Sequence, residues 1–403
     1  MKYFEQYLQL KDLFDLNKDE IVLPGNRIVI RNFDFNSSPV MPVVFNGIRE
    51  DLLIHENNCF RYPVFFPEGL SKGSEVIIYL HGLNERTWYK HLAGAKHLAE
   101  TTGKAVLMFP LSYHINRGLP EWSDTRKMAG LLEVRKRNYP GIRESSIANL
   151  ALSDRLTKYP QRFFLSGLQS AVDLINLLRQ IKGGHHSFFN PGTVIDFFAY
   201  SISCLLLQTL MVSNAGDMLK RSKIIFFAGG ALFNHLQGTS RYIMDSVAFE
   251  TIKKFYGSVY DNRSLSSDDT AFQYEMMESN FGRAFRTVLA PDIRKKERER
   301  HMSDFNDNLM VIALQKDKII PLEGIRLAMG EKLMHSKRFK ILHFPYAYSH
   351  ENPFPVLYRK IEGQVEQAFR WVYDMAAQFF NADNTIFLRN HCINRQTYLS
   401  CNG

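Results

Sequence analysis

Cysteine is scarce in this chain, with four residues among 403. They are Cys59, Cys204, Cys392 and Cys401. No two of them form a C-x-x-C pair, the spacing used by zinc knuckles and by dithiol redox centres. We therefore expect free thiols in a reducing compartment and no metal site.

Long apolar runs are also missing. The most apolar stretch of helical length, Cys204 to Leu207 followed by Thr209 to Val212, is far shorter than the roughly 20 residues that a membrane-spanning helix needs. The N-terminal stretch from Met1 to Glu20 is interrupted by charges, so it lacks the apolar core of a secretory signal. These absences predict a cytoplasmic protein with no membrane span.

The chain is basic, but no strongly basic segment stands out. The net charge is +9 and the pI is near 9.2. The densest run of charge, Arg294 to Arg300 (RKKERER), mixes both signs as a solvated helix face does. No recognised nucleic-acid motif accompanies the charge, so we do not expect nucleic acid as a partner.

Strands alternate with helices along the chain, which predicts an α/β protein with a doubly wound, mostly parallel sheet. The run from Glu75 to Leu80 is unbroken and rich in β-branched residues, as strands buried on both faces of a parallel sheet are. Hydrophobic periodicity locates the other elements. The predicted strands are 27–33, 58–66, 75–80, 105–109, 193–199, 223–228, 309–314 and 339–344, and the predicted helices are 88–101, 169–181, 202–212, 322–333 and 361–380.

Two segments interrupt this alternation. Residues 112–163 form a polar excursion, and residues 230–308 are much longer than an ordinary connection between a strand and a helix. We interpret 230–308 as a helical lid inserted after the sixth predicted strand, with some of its aromatic side chains facing the substrate. The rest divides into an N-terminal helix and first strands over 1–69, core over 70–229, and core with a C-terminal tail over 309–403. The lid aromatics are Phe233, Tyr242, Phe249, Phe255, Tyr256 and Tyr260.

The first strand end with a candidate catalytic residue is Ala199-Tyr200-Ser201-Ile202-Ser203, between a predicted strand and an apolar helix. A nucleophile elbow turns so sharply that it needs small residues two before and two after the serine. Ala199 and Ser203 are small, although they stand in place of the usual glycines. Ser201 is therefore a candidate nucleophile. A serine that caps a buried helix would fit the same pentapeptide.

The second strand end is His81-Gly82-Leu83-Asn84, directly after the strand 75–80. In a hydrolase, a backbone N–H at this place and the N–H after the nucleophile together bind the oxyanion. We predict that Leu83 and Ile202 supply these two donors. The alternative is a plain turn in which Gly82 adopts positive φ.

The third feature is a pair of C-terminal residues. Asp317 in ALQKDKIIP and His350 in YAYSHENP each follow a predicted strand by a few residues. With Ser201 they give the order nucleophile, acid, base. Glu351 and a lid carboxylate such as Asp245 are alternative acids. Two further carboxylates, Asp304 and Asp307, precede the strand 309–314 and so lie at its wrong end.

Through YLHGLN, FAYSIS, ALQKDKIIP and the His350 loop, the sequence resembles the α/β-hydrolase superfamily over roughly residues 70–380. The resemblance implies the sheet fold, a triad of Ser201, His350 and Asp317, a variable lid and no cofactor. It does not imply a substrate.

These observations predict a serine hydrolase that acts on a carboxylic ester or related acyl compound through an acyl-enzyme. An amidase or peptidase would use the same residues, and a non-catalytic binding protein of the same fold is the rival from another class. The expected partner is a small acyl substrate, and the sequence does not define an oligomeric state. The predicted pocket residues are His81, Asn84, Trp88, Tyr113 and Tyr200.

Overall fold

The computed structural model describes residues 2–23, 25, 28–40, 48–70, 73–213, 215–260, 279–356 and 359–382. Several predictions fall outside these residues. Cys392, Cys401 and the rest of the predicted tail beyond 382 do so, as does the part of the predicted lid from 261 to 278.

Within the described residues, nine strands form one sheet. The strands are β1 (Glu20–Val22), β2 (Ile28–Asn36), β3 (Cys59–Pro67), β4 (Gly73–Leu80), β5 (Ala105–Met108), β6 (Phe189–Tyr200), β7 (Ile224–Phe227), β8 (Leu309–Leu314) and β9 (Phe339–Leu342). Their order in the sheet is β1-β2-β3-β5-β4-β6-β7-β8-β9. The pairs along β1-β2-β3-β5 are antiparallel, and the pairs from β5 through β4 to β9 are parallel. The predicted fold class, a doubly wound and mostly parallel sheet, is confirmed.

The sheet is covered on both faces, because successive side chains of a strand point to opposite sides. In β4, Val76 and Ile78 are buried in one hydrophobic cluster, whereas Ile77 and Tyr79 are buried in another. All four residues are almost completely inaccessible to solvent. This double burial explains why the strand is apolar without alternation, as the sequence indicates.

Helices fill both layers. The α-helices are Tyr3–Leu13, Arg49–Leu52, His55–Asn58, Tyr89–Thr102, Thr125–Asn138, Leu150–Lys158, Arg162–Lys182, Ile202–Val212, Gly216–Leu219, Ser246–Tyr260, Asn280–Thr287, Lys295–Ser303, Leu322–Met334 and Glu362–Asn381. Short 3₁₀ turns lie at Ile115–Arg117, Pro120–Ser123, Phe233–His235 and Arg359–Ile361.

The two segments that interrupt the alternation pack on each other. Helix Leu150–Lys158 of the first lies against helix Ser246–Tyr260 of the second. A buried ion pair joins them, with Arg135 Nε 2.6 Å from one carboxylate oxygen of Asp245 and Arg135 Nη2 2.9 Å from the other. The backbone N–H of Asp245 also donates to Ser153 Oγ. The polar excursion is therefore helical and supports the second inserted segment.

Among the described residues, no helix combines the length and the apolar character that crossing a membrane requires.

Candidate active site

The turn between β6 and the helix Ile202–Val212 has the geometry of a nucleophile elbow. Ser201 has φ of 61° and ψ of −120°, a region that non-glycine residues rarely adopt and that costs of order 1–3 kcal/mol. Ala199 and Ser203 are fully buried on either side. A Cβ at Gly229 would approach Ser201 O to 2.7 Å, so the neighbouring strand end must be glycine there. Sequence reasoning missed this requirement, for which the pair Gly229-Gly230, separated by one residue from the end of β7, is the signal.

Three of the predicted residues are joined by two hydrogen bonds. Ser201 Oγ lies 2.7 Å from His350 Nε2, and His350 Nδ1 lies 2.7 Å from Asp317 Oδ2. All three residues are buried, with 6%, 3% and 9% of the surface of Ser201, His350 and Asp317 exposed. The loops after β6, β8 and β9 bring these residues together at the carboxyl end of the parallel strands.

Asp317 is fixed by its own loop. Its Oδ1 accepts hydrogen bonds from the backbone N–H groups of Ile319 and Ile320, each at 2.9 Å. This leaves Oδ2 for His350 Nδ1. Because a carboxylate only accepts, Nδ1 carries a proton and Nε2 is free to accept one from Ser201.

Tyr200 holds the loop of His350. Its hydroxyl donates to the backbone carbonyl of His350, and the two rings stack with centroids 5.7 Å apart and planes 17° apart. Burial, together with the carboxylates of Glu85 and Asp317, raises the pKa of Tyr200, so the hydroxyl keeps the proton that it donates. Tyr200 therefore supports the histidine, and its predicted place in the substrate pocket stays a prediction.

The two predicted oxyanion donors are available. In the described part of the chain, the backbone N–H groups of Leu83 and Ile202 have no hydrogen-bond acceptor. Glu85 fixes the loop that carries Leu83, because Glu85 Oε1 accepts from Gly82 N at 2.9 Å. Lys90 Nζ, 2.8 Å from the same carboxylate, balances its charge. The two residues whose N–H groups are unpaired line the same cavity.

A cavity of about 60 Å³ borders these donors. Its wall is mostly apolar and is contributed by the loops after β4 and β5, by the helices Arg162–Lys182 and Ile202–Val212, and by Asn280–Thr287. The lining residues are Leu83, Leu111, His114, Phe163, Phe164, Ser166, Gly167, Ser170, Ile202, Leu205, Leu206, Thr209, Phe281 and Phe285.

The five predicted pocket residues do not line this cavity. His81 is buried within its loop, where Nδ1 lies 2.7 Å from Gly82 O and Nε2 accepts from Leu111 N at 2.9 Å. Burial, followed by the charge of His114, lowers the pKa of His81 to about 3, so the ring is neutral. His81 therefore organises the turn between two strand ends.

Asn84, Trp88 and Tyr113 have other surroundings. The side-chain amide of Asn84 donates to Ala148 O and Tyr242 O, and so ties the β4 loop to both inserted segments. Trp88 is buried edge-to-face against His81, with ring centroids 5.2 Å apart. Tyr113 borders a separate, smaller cavity that Asp51 also lines. Aromatic and polar residues at strand ends serve packing here, which composition alone does not distinguish from ligand contact.

The second inserted segment reaches the cavity through Phe281 and Phe285. Of the lid aromatics predicted from sequence, Phe233 and Tyr256 contact the wall residue Phe163, with centroids 5.3 and 5.8 Å away. None of the five whose side chains the structure describes is itself among the residues that line the cavity. Tyr242 is 65% exposed, and the side chain of Tyr260 lies outside the described residues.

The alternative acids are held elsewhere. Asp245 binds Arg135, and Glu351 accepts a hydrogen bond from Ser240 Oγ. Asp304 and Asp307 form surface ion pairs, with Lys220 at 3.6 Å and Arg338 at 3.5 Å. In the part of the chain that the structure describes, no group of three or more His, Cys, Asp or Glu side chains could hold a metal ion.

The strand order and the elbow define an α/β-hydrolase fold. Residues 44–381 match the model of a family of unknown function, DUF6051, and the chain belongs to that family. No curated protein matches the chain.

Similar solved structures include esterases and a peptidase. Carboxyl esterase 2 of the fungus Tuber melanosporum is 12% identical, with 94% of this chain and 97% of that chain covered and a TM-score of 0.41. An esterase of Pyrobaculum calidifontis is 11% identical, with 93% of this chain and 91% of that chain covered and a TM-score of 0.43. An acylaminoacyl peptidase of Pyrococcus horikoshii is 13% identical, with coverages of 88% and 42% and a TM-score of 0.42.

Proposed function

We propose that the protein is a serine hydrolase that cleaves a carboxylic ester through an acyl-enzyme. The observation that carries the proposal is the hydrogen-bonded series from Ser201 through His350 to Asp317, with distances of 2.7 Å at both steps. A nucleophile within hydrogen-bond reach of a base, which a third group orients, is the arrangement that activates a hydroxyl.

In the proposed reaction, Ser201 Oγ attacks the ester carbonyl carbon while His350 Nε2 takes the serine proton. The N–H groups of Leu83 and Ile202 bind the oxyanion of the tetrahedral intermediate. The imidazolium, stabilised by Asp317, gives its proton to the leaving alcohol as the C–O bond breaks. Water then attacks the acyl-enzyme, with His350 again as base, and releases the acid and the free serine.

The inserted segment 230–308 has a place in this proposal as a lid. Phe281 and Phe285 form part of the cavity wall, and the helix Asn280–Thr287 packs on the helix that begins after Ser201. An acyl group in the cavity would therefore contact both the core and the insertion. The insertion would then help to set the acyl preference.

Labelling with a fluorophosphonate probe tests the proposal. The wild-type protein should be labelled at Ser201 and should hydrolyse p-nitrophenyl esters of short acyl chains. The variant Ser201→Ala should be neither labelled nor active, whereas Ser213→Ala, which changes a serine at the far end of the same helix, should still be labelled.

Labelling without ester hydrolysis, together with cleavage of acyl amides, would replace the esterase by an amidase or peptidase. Absence of labelling in a folded wild-type protein would favour a non-catalytic binding protein.

A further inference from the structure

The cavity beside the oxyanion donors has a polar feature that the proposed reaction does not use. Two hydroxyl groups of its wall are already paired: Ser170 Oγ donates to Ser166 O, and Thr209 Oγ1 donates to Leu205 O. His114 is different. Its Nε2 is the one buried side-chain nitrogen or oxygen of the described lining residues that has no hydrogen-bond partner.

The protonation of His114 follows from its contacts. Nδ1 lies 2.8 Å from the carbonyl oxygen of Ser112, and because a carbonyl only accepts, Nδ1 carries a hydrogen. Burial is the largest effect on the ring and lowers the pKa of His114 to about 4. The imidazole is therefore neutral at pH 7, and Nε2 presents a lone pair rather than a proton.

A buried acceptor without a partner is unfavourable and is rare in folded proteins. His114 is 5% exposed, so bulk water does not satisfy Nε2. Among the described residues, no donor lies within hydrogen-bond distance of Nε2. A ligand that supplies an O–H or N–H group would remove this cost on binding.

The size of the cavity limits that ligand. A volume of about 60 Å³, at roughly 10–15 Å³ for each water-sized site, corresponds to about five such sites, which suits a short acyl group. Leu83 and Ile202 both contribute to the wall. If their N–H groups bind the oxyanion as proposed, the group that enters the cavity is the one attached to the reacting carbonyl carbon. Phe281 and Phe285 keep the rest of the wall apolar.

We propose that the cavity takes a short, mostly apolar acyl group that carries one hydrogen-bond donor, and that His114 Nε2 accepts this donor. The inference rests on the proposed function and makes it more specific: the preferred substrates are esters of short hydroxy acids. His114 is the residue that determines this specificity.

Two esters of equal shape test the proposal. The p-nitrophenyl esters of 3-hydroxybutyrate and 3-methylbutyrate differ by one hydroxyl in place of one methyl group. The wild-type protein should have a kcat/KM about 10–100-fold higher for the hydroxy ester, because only this ester pairs with the buried acceptor. In His114→Phe, which keeps a ring but removes both nitrogens, the ratio of the two kcat/KM values should fall to within about threefold.

The matched control is His186→Phe. His186 is also buried, but both of its nitrogens are paired: Nε2 lies 2.8 Å from Tyr62 OH, and Nδ1 accepts from Phe188 N at 3.1 Å. This variant should keep the wild-type ratio. His114→Gln, which restores an acceptor oxygen, should recover part of the preference and provides a second test if the phenylalanine variant does not fold.

The inference is overturned if the wild-type protein treats the two esters alike, or if His114→Phe keeps the preference. A labelled Ser201 with neither ester hydrolysed also overturns it while the serine hydrolase proposal stands. If Ser201 is not labelled and no ester is cleaved, the proposed function fails and the inference fails with it.

Discussion

Replacing Asp317 by asparagine tests the base and its orientation together. In the structure, Asp317 Oδ1 accepts from the N–H groups of Ile319 and Ile320 at 2.9 Å, and Oδ2 faces His350 Nδ1 at 2.7 Å. In Asp317→Asn, the amide oxygen must stay with the two backbone donors, because an NH₂ group there would face N–H groups. The NH₂ group then points at His350 Nδ1 and donates to it.

This orientation forces the wrong tautomer. Nδ1 of His350 becomes an acceptor, so the ring proton moves to Nε2, which can then no longer accept the proton of Ser201. The expected loss in kcat is about ten-thousand-fold, the effect of this replacement in a serine protease triad. It corresponds to about 5.5 kcal/mol of activation free energy, at 1.36 kcal/mol for each factor of ten.

Initial rates with a p-nitrophenyl ester, normalised to the folded fraction from circular dichroism, measure the effect. Asp304→Asn and Asp307→Asn are the matched controls, since both carboxylates form surface ion pairs away from the site. Each control should stay within about twofold of the wild type because surface pairs contribute little. A folded Asp317→Asn protein that keeps more than about a tenth of the wild-type rate would refute the tautomer argument.

Two other replacements test the elbow and the alternative acid. Ser201→Gly should be more stable than Ser201→Ala, because glycine adopts a φ of 61° without strain. At Ser303, a helical and exposed position, calorimetry should find the alanine variant to be the more stable. If the alanine variant is also the more stable at Ser201, the turn is not strained. Asp245→Asn should lower the free energy of unfolding by about 3–5 kcal/mol, because it leaves the buried Arg135 with only the exposed carboxylate of Asp154, 3.4 Å away, as a counter-charge. Turnover per folded molecule should persist in this variant; its loss at normal stability would make Asp245 the acid.

The sheet was predictable because its strands are buried on both faces. Runs such as Leu309–Leu314 are apolar throughout, and this strand begins and ends where the sequence predicts. β1 is only three residues long and antiparallel at the sheet edge, so it carries no periodic signal. The helix Thr125–Asn138 buries only a narrow stripe that includes Met128 and Leu132, which explains why the segment reads as a polar excursion.

The candidate site was predictable only in part. Ser201, Asp317 and His350 follow strands, and parallel strands bring their carboxyl ends to one edge. The roles of Tyr200 and His114 depend on contacts that local sequence does not encode. Tyr200 binds a carbonyl 150 positions away. The state of His114 follows from the depth at which the loop after β5 is buried.

Three features of the site are unfavourable for a protein that only needs to fold. Ser201 adopts a strained backbone conformation, the N–H groups of Leu83 and Ile202 have no acceptor within the described chain, and His114 keeps a buried acceptor without a donor. A non-catalytic protein could use the N–H groups and the acceptor to bind a ligand, but it would gain nothing from the strained turn at Ser201. One ester would use all three: its carbonyl carbon would meet Ser201, its oxyanion would take the two N–H groups, and its acyl hydroxyl would donate to His114. The strained turn that holds Ser201 within hydrogen-bond distance of His350 is the physical reason for preferring an enzyme to a binding protein.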